Sequence, residues 1–195
     1  MQTTKICYFC EKWESGGIES VLNNIILHLD SKKFEVHIVA ACISESVFTE
    51  PLKKRGVVFY QLSGSQRKIF ENHRLFTQLL NTQRYDVVHL NIFHGLSLYY
   101  AYLARRAGVP VRIAHAHNTA LRKSGTRQLK MLLHNAAKCL FTDDATALWA
   151  CSGHAARFMF SDKSLKKRDF CFIPNGIETL RFQFDAALRN QVRTQ

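Results

Sequence analysis

The sequence predicts a doubly wound α/β domain built on a mainly parallel, Rossmann-like sheet, and three observations support this prediction. Short apolar runs alternate with segments in which apolar residues recur every three or four positions, the spacing of one helix face. Helical segments end at a glycine, as at Gly56 and Gly108. The run at residues 147–151 is apolar throughout, as in strands that are buried on both faces of a sheet.

The first part of the chain is predicted to contain three strands and three helices. Apolar runs at residues 5–9, 34–41 and 57–62 predict the strands. A helix from residue 18 to about Asp30 is indicated by one apolar face, made of Ile18, Val21, Leu22, Ile25 and Leu29. A short helix at 47–55 ends at Gly56. A third helix, at 68–82, has a similar apolar face with Ile69, Leu75, Phe76, Leu79 and Leu80.

The second part continues the same alternation. Strands are predicted at residues 86–90, 111–115, 147–151 and 169–173. Helices are predicted at 96–107 and 128–141. Another helix is expected to begin after Ser152, which is a good N-cap residue. Residues 184–192 are predicted to form a short helix or a linker. Because ligands of open α/β sheets bind beyond the carboxyl ends of the strands, the residues just after each strand are the candidates for a site.

Basic residues are unevenly distributed in this chain, whose formal net charge is +12. Residues 87–142 contain no Asp or Glu but eight basic residues: Arg105, Arg106, Arg112, Arg122, Lys123, Arg127, Lys130 and Lys138. Such a field attracts polyanions, namely nucleic acid, an anionic membrane or phosphorylated small molecules. Since no RNP, zinc-finger or similar signature is present, no nucleic-acid partner is expected.

Cysteine usage and hydropathy predict a cytoplasmic protein. The six cysteines lie mostly in apolar runs, as do Cys7, Cys139 and Cys171, which predicts buried, reduced thiols rather than disulfides. No signal peptide is recognised. The uncharged run at 87–104 is interrupted by polar residues and is expected to form a strand, a loop and a helix rather than a membrane span.

Gly16 and Gly17 follow the first predicted strand and open the first helix. Glycines allow a ligand to approach the backbone closely, and the free N–H groups of a helix N-terminus favour an anion such as a diphosphate. A plain tight turn is the alternative. The segment is neither a Gly-x-Gly-x-x-Gly dinucleotide motif nor a P-loop, which disfavours a nucleotide-cofactor dehydrogenase.

His115 and His117 are followed by Asn118 at the carboxyl end of the fifth strand. Alternate residues of a strand face the same way, so the two imidazoles are expected to converge. No Cys or carboxylate lies at ligand spacing, so no metal is predicted. A single histidine is ordinarily structural, but this pair followed by an asparagine favours a polar wall that faces a ligand.

Two other catalytic patterns receive little support. Cys7 and Cys10 form a C-x-x-C, but a redox pair opens a helix, whereas the first helix here begins several residues later. No Gly-x-Ser-x-Gly is present to support serine catalysis.

Four segments resemble, in order and spacing, the N-terminal half of the retaining, nucleotide-sugar-dependent glycosyltransferases called family four or group one. They are Gly16-Gly17-Ile18-Glu19, Asp86-Val87-Val88-His89, His115-Ala116-His117-Asn118 and Ile173-Pro174-Asn175-Gly176-Ile177-Glu178. The strand end at residues 150–152 also fits, and the resemblance covers nearly the whole chain. The His-x-His-Asn form is most similar to capsule and exopolysaccharide members.

The resemblance implies a GT-B fold, in which two Rossmann-like domains face each other across a cleft. It implies that Gly16 and Gly17 bind the donor diphosphate and that His117 is the catalytic residue beside the transferred sugar. Asn118 and Thr119 would lie on the acceptor side, and Asn175 and Gly176 would line the hinge. Members often carry a second histidine soon after the fourth strand, where this chain has Asn91, so the acceptor loop departs from the pattern.

By the same resemblance, residues 1–176 form the acceptor-side domain, and residues 177–195 form a linker and the start of a donor-binding domain that this chain lacks. The parent enzyme would move a sugar from a nucleotide-sugar donor to a glycan acceptor, expected to be lipid-linked, in surface polysaccharide synthesis. This half alone is expected to be inactive. No cofactor is required, because basic groups and helix N-termini can neutralise the diphosphate.

A non-catalytic module that binds a polyanion or a membrane surface is the alternative function, because the charge alone would explain it. For the transferase, Arg122, Lys123, Arg127 and Lys130 are expected to face an anionic membrane, at the inner face for a cytoplasmic protein, whether or not the nearby leucines insert. The apolar residues of the helix at 128–141 either pack against the sheet, the interpretation we favour, or form a ridge near the headgroups. They are Leu129, Leu132, Leu133, Ala136 and Leu140.

Overall fold

The seven predicted strands form one parallel sheet in the computed structural model, which describes residues 3–121, 124–176, 179 and 183–194. Their order is β3-β2-β1-β4-β5-β6-β7, and every pairing is parallel. The strands are β1 (Thr4–Trp13), β2 (Phe34–Ile43), β3 (Val58–Gln61), β4 (Val87–Ile92), β5 (Val111–Ala116), β6 (Ala147–Ala150) and β7 (Cys171–Phe172). The predicted fold class is confirmed.

Eight α-helices lie within the described residues. They are α1 (Gly17–His28), α2 (Thr49–Lys54), α3 (Ile69–Gln83), α4 (Tyr99–Arg106), α5 (Arg127–Phe141), α6 (Gly153–Met159), α7 (Asp162–Lys167) and α8 (Ala186–Arg193). Ser152 caps α6 as predicted, since its hydroxyl accepts a hydrogen bond from the Ala155 N–H at 3.0 Å. Helix α7 was not predicted because its lysine-rich sequence shows no apolar face; the Ser161 hydroxyl caps it.

Two differences from the predicted boundaries bear on the site. Strand β1 does not stop at Phe9 but continues to Trp13, whose buried indole N–H donates to Thr49 at 2.9 Å. The helix predicted at 96–107 is divided into a 3-10 turn, Gly95–Leu98, and α4. Both differences place additional residues at the carboxyl edge of the sheet.

Apolar cores lie on both faces of the sheet because successive strand residues point to opposite sides. In β1, Tyr8 and Cys10 belong to one core, whereas Cys7 and Phe9 belong to the other. Helices α1 and α2 cover the first face through Ile18, Leu22, Ile26 and Leu52. Helices α3, α4 and α6 cover the second face through Phe76, Leu80, Ala101, Ala104, Ala155 and Met159. Helices on both faces make the domain doubly wound.

The burial of each cysteine depends on its position in these layers. Cys7 and Cys10 are buried on opposite faces of β1, and burial raises the pKa of both thiols, the reverse of what a redox pair requires. The expectation that Cys139 and Cys171 are buried is wrong, because α5 and the edge strand β7 expose them. Within the described ranges no helix is both long and apolar enough to cross a membrane.

The strand order reverses between β1 and β4, the two strands from which the chain winds outward in opposite directions. In an open α/β sheet this switch point leaves a crevice beyond the carboxyl ends of the strands. The loops after β1, β4 and β5 therefore form the candidate site.

Candidate active site

Asn91 links the three central strands of this edge. It is fully buried near the end of β4, between β1 and β5. Its side-chain N–H donates to the Phe9 carbonyl of β1 at 3.3 Å, and its Oδ1 lies 3.1 Å from Nε2 of His117, just after β5. The glycine loop begins at the same edge, shortly after β1. The residue that departs from the family pattern thus positions His117.

Three imidazoles form a column beneath this edge. The rings of His115 and His117 converge, as predicted, with centroids 4.1 Å apart. His89 of β4 extends the column, with its Nε2 at 3.2 Å from Nδ1 of His115. The ring of Trp149 packs edge-on against both His89 and His115. His115 is 0% exposed, so the prediction that it forms part of a ligand-facing wall is wrong. Its position within β5, one layer below His117, explains the difference.

Burial keeps these imidazoles uncharged. It lowers the pKa of His115 to about 3 and that of His117 to about 4, while the side chain of Asn175 opposes the second shift. Burial also takes the pKa of His89 well below its usual value. Among the described residues, no group of three His, Cys, Asp or Glu side chains has an arrangement suited to a metal ion.

The hydrogen bond to Asn91 fixes the tautomer of His117. Since the Asn91 amide donates to Phe9, its Oδ1 faces the imidazole as an acceptor, and Nε2 of His117 must carry the hydrogen. Nδ1 therefore holds a lone pair. This atom is buried and has no hydrogen-bond partner among the described residues, so a ligand hydroxyl can pair with it only after a side-chain movement that uncovers it.

The glycine loop forms the N-terminus of α1. Gly16 is the N-cap residue, and no side chain in the described part of the chain caps the helix. A Cβ atom at Gly16 would lie 2.5 Å from Oε2 of Glu19, whose carboxyl group therefore folds back against the loop. Gly17 is exposed, with open space around the position of its missing Cβ. Close approach of an anion is thus possible at Gly17, whereas Glu19 occupies the inner side.

The remaining predicted site residues have different surroundings. Asn118 donates to the Phe93 carbonyl at 3.3 Å and so joins the loops after β5 and β4, while Thr119 is exposed. Asn24 of α1 donates to the Gly176 carbonyl at 3.1 Å, which ties the predicted hinge to the first helix. In the segment that begins at Asp86, the carboxylate accepts from the Lys5 N–H at 2.7 Å, a structural contact between β1 and β4.

Three residues that sequence reasoning missed form a polar cluster at the switch point. Glu11 lies near the end of β1, and its Oε1 is 3.2 Å from Nε2 of His94, in the loop after β4. The Ser97 hydroxyl donates to the same oxygen. Extending the two-residue alternation of β1 past Phe9 would have placed Glu11 on the same face as Phe9.

This cluster lies in the wall of a cavity of about 470 Å³, a size typical of small-molecule sites. Most of the other lining residues are aromatic or apolar: Ile69, Phe70, Leu96, Tyr99, Tyr100 and Phe141. His94 and Leu96 also line a second cavity of about 300 Å³, next to Lys130 and Leu133 of α5.

The eight basic residues of the acid-free stretch do not form one surface. Arg105 is paired with Asp144 at 2.9 Å, and Arg112 donates to the Asp144 carbonyl at 2.7 Å, both near the amino edge of the sheet. Arg127 and Lys130 are exposed at the opposite end, on the first turns of α5. Arg122 and Lys123 lie outside the described residues.

The comparison with known proteins assigns this arrangement to a family. The model of Glycosyltransferase Family 4 matches residues 15–181, from the glycine loop to the predicted hinge. The chain belongs to glycosyltransferase family 4. This match confirms the resemblance drawn from the four segments.

Relatives of this family 4 chain include EpsF of Bacillus subtilis (strain 168), whose name assigns it to the glycosyltransferases. It is 28% identical over 165 residues, which are 84% of this chain and 42% of EpsF. The fold is similar to that of Anabaena Alr3699/HepE, solved with UDP-glucose, with a TM-score of 0.68 and 15% identity over 97% of this chain and 50% of HepE. The fold is also similar to that of a glycosyltransferase from Rickettsia africae ESF-5, with a TM-score of 0.66 and 12% identity over 98% of this chain and 49% of the Rickettsia protein. The chain therefore spans about half the length of these proteins.

Proposed function

We propose that the protein containing this chain transfers a glycosyl group, with retention of configuration, from a nucleotide-sugar donor to a glycan acceptor. The observation that carries this proposal is that the family match spans all four motif segments, three of which end at one edge of the sheet. The complex of HepE with UDP-glucose, a protein of the same fold, supports a nucleotide sugar as donor.

The proposed roles are those that the family resemblance implies, and the geometry of that edge supports some of them. Gly16 and Gly17 would hold the donor diphosphate at the N-terminus of α1, where free N–H groups favour an anion. The neutral His117 would accept a hydrogen bond from the transferred sugar through Nδ1. Asn118 and Thr119 would face the acceptor, and Asn175 and Gly176 would form the hinge to a donor-binding half that begins near residue 177.

A donor assay tests this function. The intact protein is incubated with a panel of nucleotide sugars, beginning with UDP-glucose, with and without glycan acceptors, and nucleotide release is measured. We expect acceptor-dependent release and a product with the anomeric configuration of the donor. The 195-residue chain by itself should be far slower, since it spans about half the length of its relatives. Failure of every donor to release nucleotide, or inversion of configuration, would contradict the proposal.

We also propose that α5 holds the protein at an anionic membrane surface, at the inner face of the membrane, where a lipid-linked acceptor for surface polysaccharide synthesis would lie. The leucines of α5 are exposed, so the interpretation that they pack against the sheet is wrong. Leu129, Leu132 and Leu140 are 59%, 66% and 70% exposed. The buried residues of this helix are His134 and Ala137. Arg127 and Lys130 lie beside them, an arrangement typical of interfacial helices.

Vesicle co-sedimentation tests the membrane proposal. Binding should require anionic lipid and weaken with salt, because each basic residue near the surface contributes about 1 kcal/mol that salt screens. The double change Arg127→Ser, Lys130→Ser and the single change Leu132→Ser should each reduce binding. The matched control changes Lys163 and Lys166, exposed residues of α7, to serine and should bind almost as wild type. Equal binding to neutral vesicles, or tight binding of duplex DNA at physiological salt with none of vesicles, would contradict it.

A further inference from the structure

We propose that the cavity beside Glu11 binds an uncharged sugar residue of the acceptor, and that Glu11 accepts hydrogen bonds from the hydroxyls of this sugar. The proposal rests on the proposed transferase function and extends it, since it assigns a subsite and the chemical class of its ligand.

The first argument is the asymmetric use of the Glu11 carboxylate. Both protein donors, the imidazole of His94 and the hydroxyl of Ser97, approach Oε1. Among the described residues, Oε2 has no hydrogen-bond partner. The side chain is 18% exposed and lines the cavity. A carboxylate oxygen without a protein donor is free to accept a hydrogen bond from a ligand, and a sugar hydroxyl supplies one.

The second argument is charge. Burial by itself raises the pKa of Glu11, but the hydrogen bonds from His94 and Ser97 outweigh it and leave the pKa below its usual value. Glu11 in turn raises the pKa of His94, against the effect of burial. The carboxyl group is therefore ionised and only accepts hydrogen bonds, so a phosphate or carboxylate oxygen, which is also only an acceptor, cannot pair with it.

The third argument is the chemistry of the walls. Tyr99 lies edge-on to Phe141 at 5.2 Å and against His73 at 4.6 Å, and Phe70 is 90% exposed at the rim. A pyranose ring has an apolar C–H face that packs on aromatic rings and hydroxyl groups at its edge that reach a carboxylate. A lipid chain would fill the apolar part of the cavity but would leave Oε2 of Glu11 unpaired, which is unfavourable.

The position of the cavity agrees with these arguments. Glu11 comes from β1 and His94 follows β4, the two strands that flank the switch point. The glycine loop also follows β1, so a sugar in this cavity would lie at the same edge of the sheet as the proposed donor site. Leu96 connects the cavity to the second one beside α5, which faces the proposed membrane surface.

The test is ligand binding by the 195-residue chain, without any donor. Uncharged methyl glycosides of glucose, galactose and N-acetylglucosamine are titrated, and the NMR signals of the His94 imidazole and the Leu96 methyl groups are followed. At least one glycoside should shift these signals. Methyl glucuronide, which adds a carboxylate, should bind about tenfold more weakly or worse than methyl glucoside. Glu11→Gln should weaken glycoside binding by about tenfold, because a charge-assisted hydrogen bond is replaced by a neutral one.

The matched control is Glu50→Gln, an exposed carboxylate of α2 on the other face of the sheet, which should bind as wild type. The proposal is overturned if no glycoside shifts the two signals, if methyl glucuronide binds as well as methyl glucoside, or if a folded Glu11→Gln variant binds normally. Stronger shifts with 1-octanol than with any glycoside would also overturn it, in favour of a lipid chain. If Glu11→Gln does not fold, the wild-type comparison of glucoside with glucuronide decides. Because no donor is present, failure here leaves the donor assay as a separate test of the transferase function.

Discussion

Replacing His117 by alanine in the intact protein is expected to lower turnover by roughly 100-fold or more while changing donor binding much less. The neutral ring carries its lone pair on the buried Nδ1, in an orientation fixed by Asn91. A hydrogen bond that strengthens as the sugar leaves the diphosphate stabilises the transition state more than the ground state. Separate measurement of kcat and of the donor dissociation constant distinguishes these two effects.

Two further variants separate positioning from packing. Asn91→Leu removes the group that fixes the His117 tautomer and should lower kcat in the same direction, with a changed imidazole tautomer in ¹⁵N NMR spectra. His115→Ala should act mainly through stability, because that ring is buried between His89 and His117. Small and equal effects of His115→Ala and His117→Ala on kcat would show that the role of His117 is assigned wrongly.

Replacing Gly95 by alanine is expected to destabilise the domain by about 3 kcal/mol. A Cβ atom at this position would lie 2.3 Å from the carbonyl oxygen of His134 and 3.0 Å from the carbonyl carbon. These are backbone atoms of α5, so no side-chain rotation relieves the contact. The shift would also weaken the bond in which the Gly95 N–H donates to Nδ1 of His134 at 2.8 Å. Thermal unfolding should show a midpoint lower by about 6–12 °C.

Gly125→Ala is the matched control for this prediction. Gly125 precedes α5 in an exposed position, and a Cβ atom there would have no neighbour within 4 Å. Its midpoint should remain close to that of the wild type. If Gly95→Ala unfolds at the same temperature as Gly125→Ala, the packing of the 3-10 turn against α5 is looser than the structure indicates.

The sequence alone determined the layers of this domain and the edge at which its site lies. Apolar runs and helical stripes fix the order of strands and helices, because period-two and period-3.6 patterns bury one face only in the matching element. The four motif segments identified the family because each is a short stretch of sequence that follows or begins a predictable strand or helix. His117, Gly16 and Gly17 were therefore predicted as site residues from the sequence, and their roles remain predictions.

Tertiary structure decided which of these residues are buried and which residues from distant segments meet. His115 and His117 have the same local pattern, yet only the packing of His89 and Trp149 shows that His115 belongs to the core. The leucines of α5 have the spacing of a buried face, but the buried residues of that helix are His134 and Ala137. Glu11 and His94 are far apart in sequence, and neither lies in a recognisable motif. Their pairing depends on β1 and β4 being neighbours at the switch point, a long-range contact that no local pattern encodes.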